Sequence, residues 1–271
     1  MNPRTPRNKA ATRALLVSAM SLSWALALAG CTSTDIPPPA TGVGSVGTQS
    51  SAASSAAGSD SPSPTPSVAG ELAFIDEPQL AEAMGEWAKN QPGSKLTNDA
   101  ALRAQIPAAE KWLAGITVVP SECGLYGGGS IKDQLAASVM TAVSLGEEIG
   151  GDVTVASYPD LNELVADVAA QQHLDSSCSK YTVTSEGQSI TATMEALKVD
   201  PVAPYVTGTL MKTLNDGKVS QQVSIRAIDG HIMVTATRRA ASDPVAAVRE
   251  ATADANAVLE LLRAREAQAS G

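Results

Sequence analysis

Three thiols and two imidazoles are the groups in this chain best able to do chemistry: Cys31, Cys123, Cys178, His173 and His231. A thiol serves as a nucleophile, a metal ligand or half of a disulfide, according to its neighbours and its compartment. An imidazole near neutral pH serves as a general base or a ligand. Each role needs partners at set spacings, and the sequence does not supply them. No H-E-x-x-H, C-x-x-C or EF-hand loop is present to gather a metal ion. Nor is there a G-x-S-x-G elbow, or an S-x-x-K with its companion motifs. Gly124-Leu-Tyr-Gly-Gly-Gly-Ser130 is glycine-rich but lacks the lysine of a phosphate-binding loop, and reads as a turn. Glu147 and Glu148 with Asp152 offer paired carboxylates, yet Gly150-Gly151 between them reads as an exposed turn carrying solvated charge. His231 is expected at a solvated hairpin end, and His173 near the end of a helix whose dipole favours its charge. We therefore assign no catalytic residue, no metal and no cofactor, and expect a protein that is not an enzyme.

The segments that must position these residues differ sharply in composition. Residues 1–30 carry Arg4, Arg7, Lys9 and Arg13 and no acid, followed by an apolar stretch from Ala14 to Gly30. A basic start, a short apolar run and small terminal residues describe a secretory signal, and the run is short for a membrane-spanning helix of about 20 residues. The ending Leu28-Ala-Gly-Cys31 resembles the bacterial lipoprotein lipobox. That resemblance implies diacylglyceryl transfer to the Cys31 thiol, cleavage between Gly30 and Cys31, and acylation of the new amine, palmitate being the expected chain. An ordinary signal with a chance cysteine, or an uncleaved anchor, is the alternative. Two or more acyl chains hold a protein stably, at ~0.8 kcal/mol per buried CH₂. The expected location is the extracytoplasmic face of the cell membrane.

Cleavage removes four positive charges and no negative ones, so 15 Lys and Arg face 28 Asp and Glu. The mature charge is then −13 rather than −9. That balance excludes nucleic acid as a partner, since displacing counterions from phosphate needs a basic surface. Aromatic residues make up only 3% of the chain, so any core must be aliphatic.

Residues 31–70 hold the anchor cysteine and a linker. From Thr32 to Gly70, 32 of 39 positions are Ser, Thr, Pro, Gly or Ala. Such a composition buries too little apolar surface to offset the entropy of ordering, and is expected to be disordered. Its root-mean-square span is roughly 35 Å. It reads as a spacer, and its Ser/Thr–Pro pairs permit O-glycosylation.

The folded domain is expected over 71–267, with 268–271 a disordered tail. If the chain is exported, Cys123 and Cys178 lie where thiols oxidise, and Cys31 is taken by lipid, so the remaining pair is expected to bond. The alternatives are free thiols or a metal pair with His173 as the one further ligand. Pro78, Leu80, Met84 and Trp87 predict a helix stopped at Asn90-Gln-Pro-Gly93. A second is expected from Pro107 to Gly115 with Trp112 and Leu113 inward. Asp152–Ser157 reads as a strand, followed by a helix from Pro159 to near His173 with Leu161, Leu164, Val165 and Val168 on one face. Strands 181–185 and 189–197 flank a Glu186-Gly187 turn, and strands 205–214 and 219–228 follow.

Asp229-Gly230 is the sharpest turn signal, as a two-residue loop that places Ile228 opposite His231 and Ala227 opposite Ile232. One face of that hairpin is Val223, Ile225, Ala227, Ile232, Val234 and Ala236; the other is Gln222, Ser224, Arg226, His231, Thr235 and Thr237. Downstream, Asp243 caps a helix, Pro244 fills its first turn, and Val245, Val248, Ala251, Ala255, Val258 and Leu262 form its apolar stripe. The fold class is α+β: an antiparallel sheet of about five to six strands, meander-like in its C-terminal half, packed against helices on one face, with one disulfide.

Pro120-Ser-Glu-Cys123-Gly124, Ala156-Ser-Tyr-Pro-Asp160 opening a helix, Cys178, and the run Gln222–Val234 before an Ala-rich helix together carry a resemblance over residues 71–265. The pattern resembles the PknH-like extracellular sensor domain, found on a receptor serine/threonine kinase and on many actinobacterial lipoproteins. The resemblance implies an antiparallel sheet flanked by helices, with a cleft suited to a ligand. This chain departs from the pattern in having one cysteine pair instead of two, and Ser176-Ser177 where a tryptophan commonly precedes the cysteine. The expected function is a lipid-anchored, extracytoplasmic, sensor-like binding module, a monomer joined to the membrane through acylated Cys31. Arg226, Ser224, Tyr158 and Tyr181 are the candidate ligand-facing residues for a small molecule, lipid or envelope component. The alternative is a lipid carrier whose sheet and helices enclose an apolar cavity for acyl chains.

Overall fold

The computed structural model describes residues 69–124, 131–215, 217–240 and 243–269. The signal, the Gly30–Cys31 cleavage and lipidation site, nearly all of the linker and most of the Gly124–Ser130 turn lie outside the described residues. In chain order the elements are α1 (Glu77–Ala88), β1 (Lys95–Thr97), α2 (Asp99–Arg103), α3 (Ile106–Leu113), β2 (Ile116–Val119), α4 (Ile131–Ala136), β3 (Val139–Ser144), β4 (Gly151–Ser157), α5 (Leu161–Ser177), β5 (Lys180–Ser185), β6 (Gln188–Leu197), β7 (Tyr205–Asn215), β8 (Lys218–Asp229), β9 (Ile232–Arg239) and α6 (Pro244–Ala269). A 3-10 turn, Ser121–Cys123, follows β2.

All nine strands form one antiparallel sheet in the order β1-β3-β4-β9-β8-β7-β6-β5-β2. The α+β class, the antiparallel sheet and the single Cys123–Cys178 disulfide are as expected, but the sheet has nine strands rather than five or six. The additional strands are β1, β2 and β3. The first two hold three and four residues and lie at the sheet edges, too short for a period-2 pattern to register. β3 is flanked by β1 and β4, and Thr141, Ala142 and Val143 are all buried, so it shows no alternation.

One face of the sheet carries Val143, Val153, Val155, Val223, Ile225, Ala227, Val234 and Ala236 against α1 and α6. α1 starts where the Asp76 carboxylate accepts a hydrogen bond from the Gln79 amide (3.1 Å), and it buries Leu80, Ala83, Met84 and Trp87. α6 starts where the Asp243 carboxylate accepts from the amides of Val245 and Ala246 (3.0 and 3.1 Å). Its Ala247, Ala251 and Ala255 let the helix approach the sheet closely, and Val258, Leu259 and Leu262 complete the buried stripe. Each fully buried Leu or Val contributes roughly 1.5–3 kcal/mol. Val245, expected in the stripe, is exposed in the first turn, and the helix runs to Ala269, past the expected boundary at 267.

The opposite face is not left to solvent. β4 and β5 are separated by β9, β8, β7 and β6, and α5 carries the chain between them. Five strand spacings amount to about 24 Å, and a 17-residue helix is roughly 25 Å long, so α5 spans that gap by itself. Its Leu164 and Val168 pack with Ala156, Tyr158 and Ile228 in a second core. Helices therefore cover both faces, where one was expected, because the alternation of β8 and β9 does not distinguish a solvated polar face from a buried one. Thr235 and Thr237, on that face, are buried. Leu161 is exposed, and α5 continues to Ser177, a turn beyond His173. In α3 the buried residues are Ile106 and Ala109, while Trp112 and Leu113 are half-buried.

Turn chemistry sets two hairpins differently. Glu186 and Gly187 both take positive φ between Ser185 and Gln188, as expected of that pair. In the last hairpin Asp229 pairs with Ile232, leaving Gly230-His231 as the loop and shifting the pairing by two residues, so Ile228 faces Met233. A shift of two preserves every side chain's face. Gly230 alone takes positive φ, and a Cβ there would lie 2.1 Å from the Leu72 carbonyl oxygen. The incoming segment occupies that space: the His231 amide donates to Leu72 O (2.8 Å) and the Ile75 amide to Ser157 Oγ (2.8 Å).

Candidate functional site

The face crossed by α5 carries a polar strip through the middle of the sheet. Strand pairing aligns Thr154, Thr235, Arg226 and Thr207 in one row across β4, β9, β8 and β7. The next row is Asp152, Thr237, Ser224 and Thr209. Arg226, Thr235, Thr237, Thr154 and Asp152 are buried, whereas Thr207, Ser224 and Thr209 are half-buried. Asp152 is tied to its neighbours: Thr237 Oγ1 donates to its carboxylate, as does Thr154 Oγ1 (3.5 Å). It is thus a strand residue and not part of an exposed acidic turn with Glu147 and Glu148, which are exposed.

α5 crosses this face beside the strip, through side chains of two kinds. Leu164 and Val168 are apolar, but the same stripe continues through Gln172 and Asp175, with Asp167 alongside. Tyr158 Oη donates to Asp167 Oδ2 (2.7 Å), and Gln172 Nε2 donates to Tyr205 Oη (2.7 Å). Gln171 Nε2 donates to Asp175 Oδ1 within the helix (2.8 Å). Burial pulls the Arg226 pKa below its ordinary value, and the negative charges of Asp175 and Asp167 oppose that shift. The guanidinium remains a cation, since arginine does not lose its proton in proteins. Burial raises the Tyr158 phenol well above its ordinary range, and the Asp167 charge and hydrogen bond add to the rise. Tyr158 is therefore a permanent donor at neutral pH.

All four candidate residues lie on this face. Tyr158 and Arg226 belong to the cluster under α5, and Ser224 is in the adjoining row. Tyr181 is three strands away on β5, its hydroxyl donating to Met211 Sδ (3.7 Å), with burial raising its pKa. Asp167, Gln172, Asp175 and Tyr205 were not among the candidates. Their signal is the stripe Leu164, Val168, Gln172, Asp175, which keeps helical spacing while turning polar halfway along α5.

The histidines are apart. His173 is exposed, its carbonyl accepting from Ser176 and Ser177 hydroxyls. His231, expected to be solvated, is half-buried at the hairpin tip and hydrogen bonds through Nδ1 to the Tyr158 carbonyl (2.6 Å). Cys123 and Cys178, both buried with Cα atoms 5.5 Å apart, join the 3-10 turn to the C-terminus of α5. Among the described residues no helix is long and apolar enough to cross a membrane.

No protein-family model matches the chain, and no curated protein matches it. Among solved structures it is similar to the extracellular domain of PknH from Mycobacterium tuberculosis, at 11% identity over 69% of this chain and 93% of that one, with a TM-score of 0.42. It is also similar to an uncharacterised protein from Mycobacterium smegmatis, at 14% identity over 68% of this chain and 96% of that one, with a TM-score of 0.36.

Proposed function

We propose that this protein is a lipid-anchored, extracytoplasmic binding module of a bacterial envelope, sensor-like and non-catalytic, which receives its ligand on the polar face around Arg226. The observation that carries the reading is a buried guanidinium set in rows of hydroxyls on the sheet face that α5 crosses. The Cys123–Cys178 disulfide supports an oxidising compartment, and the lipobox-like ending at Cys31 supports the anchor. We favour this reading over an acyl-chain carrier because α1 and α6 pack the apolar face, while the other face carries the polar groups.

Two measurements test it. The Cys31→Ala chain should move from the membrane fraction to the soluble fraction; retention in the membrane overturns the anchor. Gently extracted protein, analysed by native mass spectrometry, should carry a small envelope-derived ligand that Arg226→Gln loses. Equal ligand occupancy in both overturns the assignment of the binding face.

A further inference from the structure

The chain enters the fold as a strap over 69–75. Ala69 and Gly70, the last residues of the expected linker, already lie against the Gly230-His231 turn. The Ala69 carbonyl accepts from the Gly230 amide (3.5 Å), and a Cβ on Gly70 would lie 2.1 Å from Gly230 N. The Leu72 carbonyl accepts from the His231 amide (2.8 Å), and the Ile75 amide donates to Ser157 Oγ (2.8 Å). Within 69–75 only Leu72 is buried. Segments with few buried apolar contacts open locally at lower free energy than the core.

The groups that hold the strap lead directly to α5. Ser157, which takes the Ile75 amide, precedes Tyr158 in the chain. His231, which donates to Leu72, is joined to Tyr158 twice: the Tyr158 amide donates to the His231 carbonyl (2.9 Å), and His231 Nδ1 hydrogen bonds to the Tyr158 carbonyl (2.6 Å). Tyr158 in turn packs with Leu164 and Val168 of α5, and its hydroxyl donates to Asp167 Oδ2 (2.7 Å). A continuous line of contacts therefore runs from Leu72 through His231 and Tyr158 into α5. α5 is itself lightly held: it buries Leu164 and Val168 alone over 17 residues, where α6 buries seven over 26. Two lightly held segments that share one buried residue bias each other, and such coupling is reciprocal.

On the reading that this chain is anchored by its linker and receives a ligand on the face crossed by α5, we propose that 69–75 is a coupling strap. Its docking on the Gly230-His231 turn and the seating of α5 belong to one equilibrium, with Tyr158 as the shared residue. A ligand that shifts α5 thereby changes how firmly the tether is held. Tension on the tether, in the other direction, loosens α5.

The test is hydrogen exchange on the full chain in detergent, read by mass spectrometry. Leu72→Ala should speed exchange over α5 by about tenfold, and by more than over β5 and β6 in the other half of the sheet. Tyr158→Phe should in turn speed exchange in the peptides that hold Glu71 and His231. In the double variant the two gains over α5 should fall short of their product, because both act on one equilibrium. If Leu72→Ala does not fold, Gly70→Ala makes the same test from outside the core, since its methyl group meets Gly230 N. Unchanged exchange over α5, equal acceleration in β5 and β6, or gains that multiply would overturn the coupling. Should α5 stay unaffected while Arg226→Gln still loses an envelope-derived ligand, the binding reading stands and only the coupling fails.

Discussion

Asp229 and Arg263, 34 residues apart, form a 2.7 Å ion pair that ties the end of β8 to α6. The other oxygen of the same carboxylate accepts from the Glu71 amide (2.8 Å), so one buried side chain joins the hairpin, the last helix and the incoming chain. This is why the turn is Gly230-His231: with Asp229 at a loop position, its carboxylate would leave the face that α6 covers.

Asp229→Ala removes both bonds and leaves the Glu71 amide and the Arg263 guanidinium without that partner. A loss of roughly 2–4 kcal/mol is expected by urea denaturation, with early exchange of the His231 amide, which donates to the Leu72 carbonyl. A loss under 1 kcal/mol would show that the pair is incidental to the register.

Replacing Cys123 and Cys178 together by Ser opens a closure of 55 residues. The chain-entropy estimate is a loss of about 4 kcal/mol. Because the bridge ends on α5, hydrogen exchange should accelerate over 161–177 more than in α6; uniform acceleration would mean that the bridge does not hold α5 in particular.

Tyr158→Phe deletes the donor to Asp167 with little change in shape. A hydrogen bond to a charged group contributes about 1.5–3 kcal/mol, and that loss should fall mainly on the opening of α5. Since burial and Asp167 keep the phenol protonated, absorbance titration should find Tyr158 ionising only well above the ordinary tyrosine range. Ionisation at an ordinary tyrosine pH refutes its burial against Asp167.

Asp254 on α6 pairs with Arg238 on β9 within hydrogen-bond reach (Nε to Oδ2, 2.7 Å), yet burial raises its carboxyl pKa, the Arg238 charge only partly offsetting it. A folded-state pKa above the unfolded value means that the folded protein holds this proton more tightly. The resulting stability is fully present below the unfolded pKa and is lost as pH rises through the folded one. Asp254→Asn should therefore flatten the decline in unfolding free energy across that acidic window, measured by urea titration at stepped pH. An unchanged slope would assign the decline to other groups.

Much of the frame is local and was legible from residues alone. Turn pairs such as Glu186-Gly187, the Asp243 cap before Pro244, the period-2 alternation of β8 and β9, and the cysteine pairing each depend on neighbours in sequence or on compartment. The face assignment of the last hairpin survived a wrong register because a slip of two residues keeps side-chain parity.

What the sequence determined by itself is therefore the α+β class, the hairpins of the C-terminal half and the identity of the disulfide. The tertiary structure alone decided the nine-strand order, the Gly230-His231 turn and the placement of α5 on the face that carries Arg226. The physical reason is common to all three. Edge strands of three or four residues, an aspartate held by a helix 34 residues away, and a buried polar face each owe their state to partners distant in the chain, and period, propensity and spacing carry no record of those.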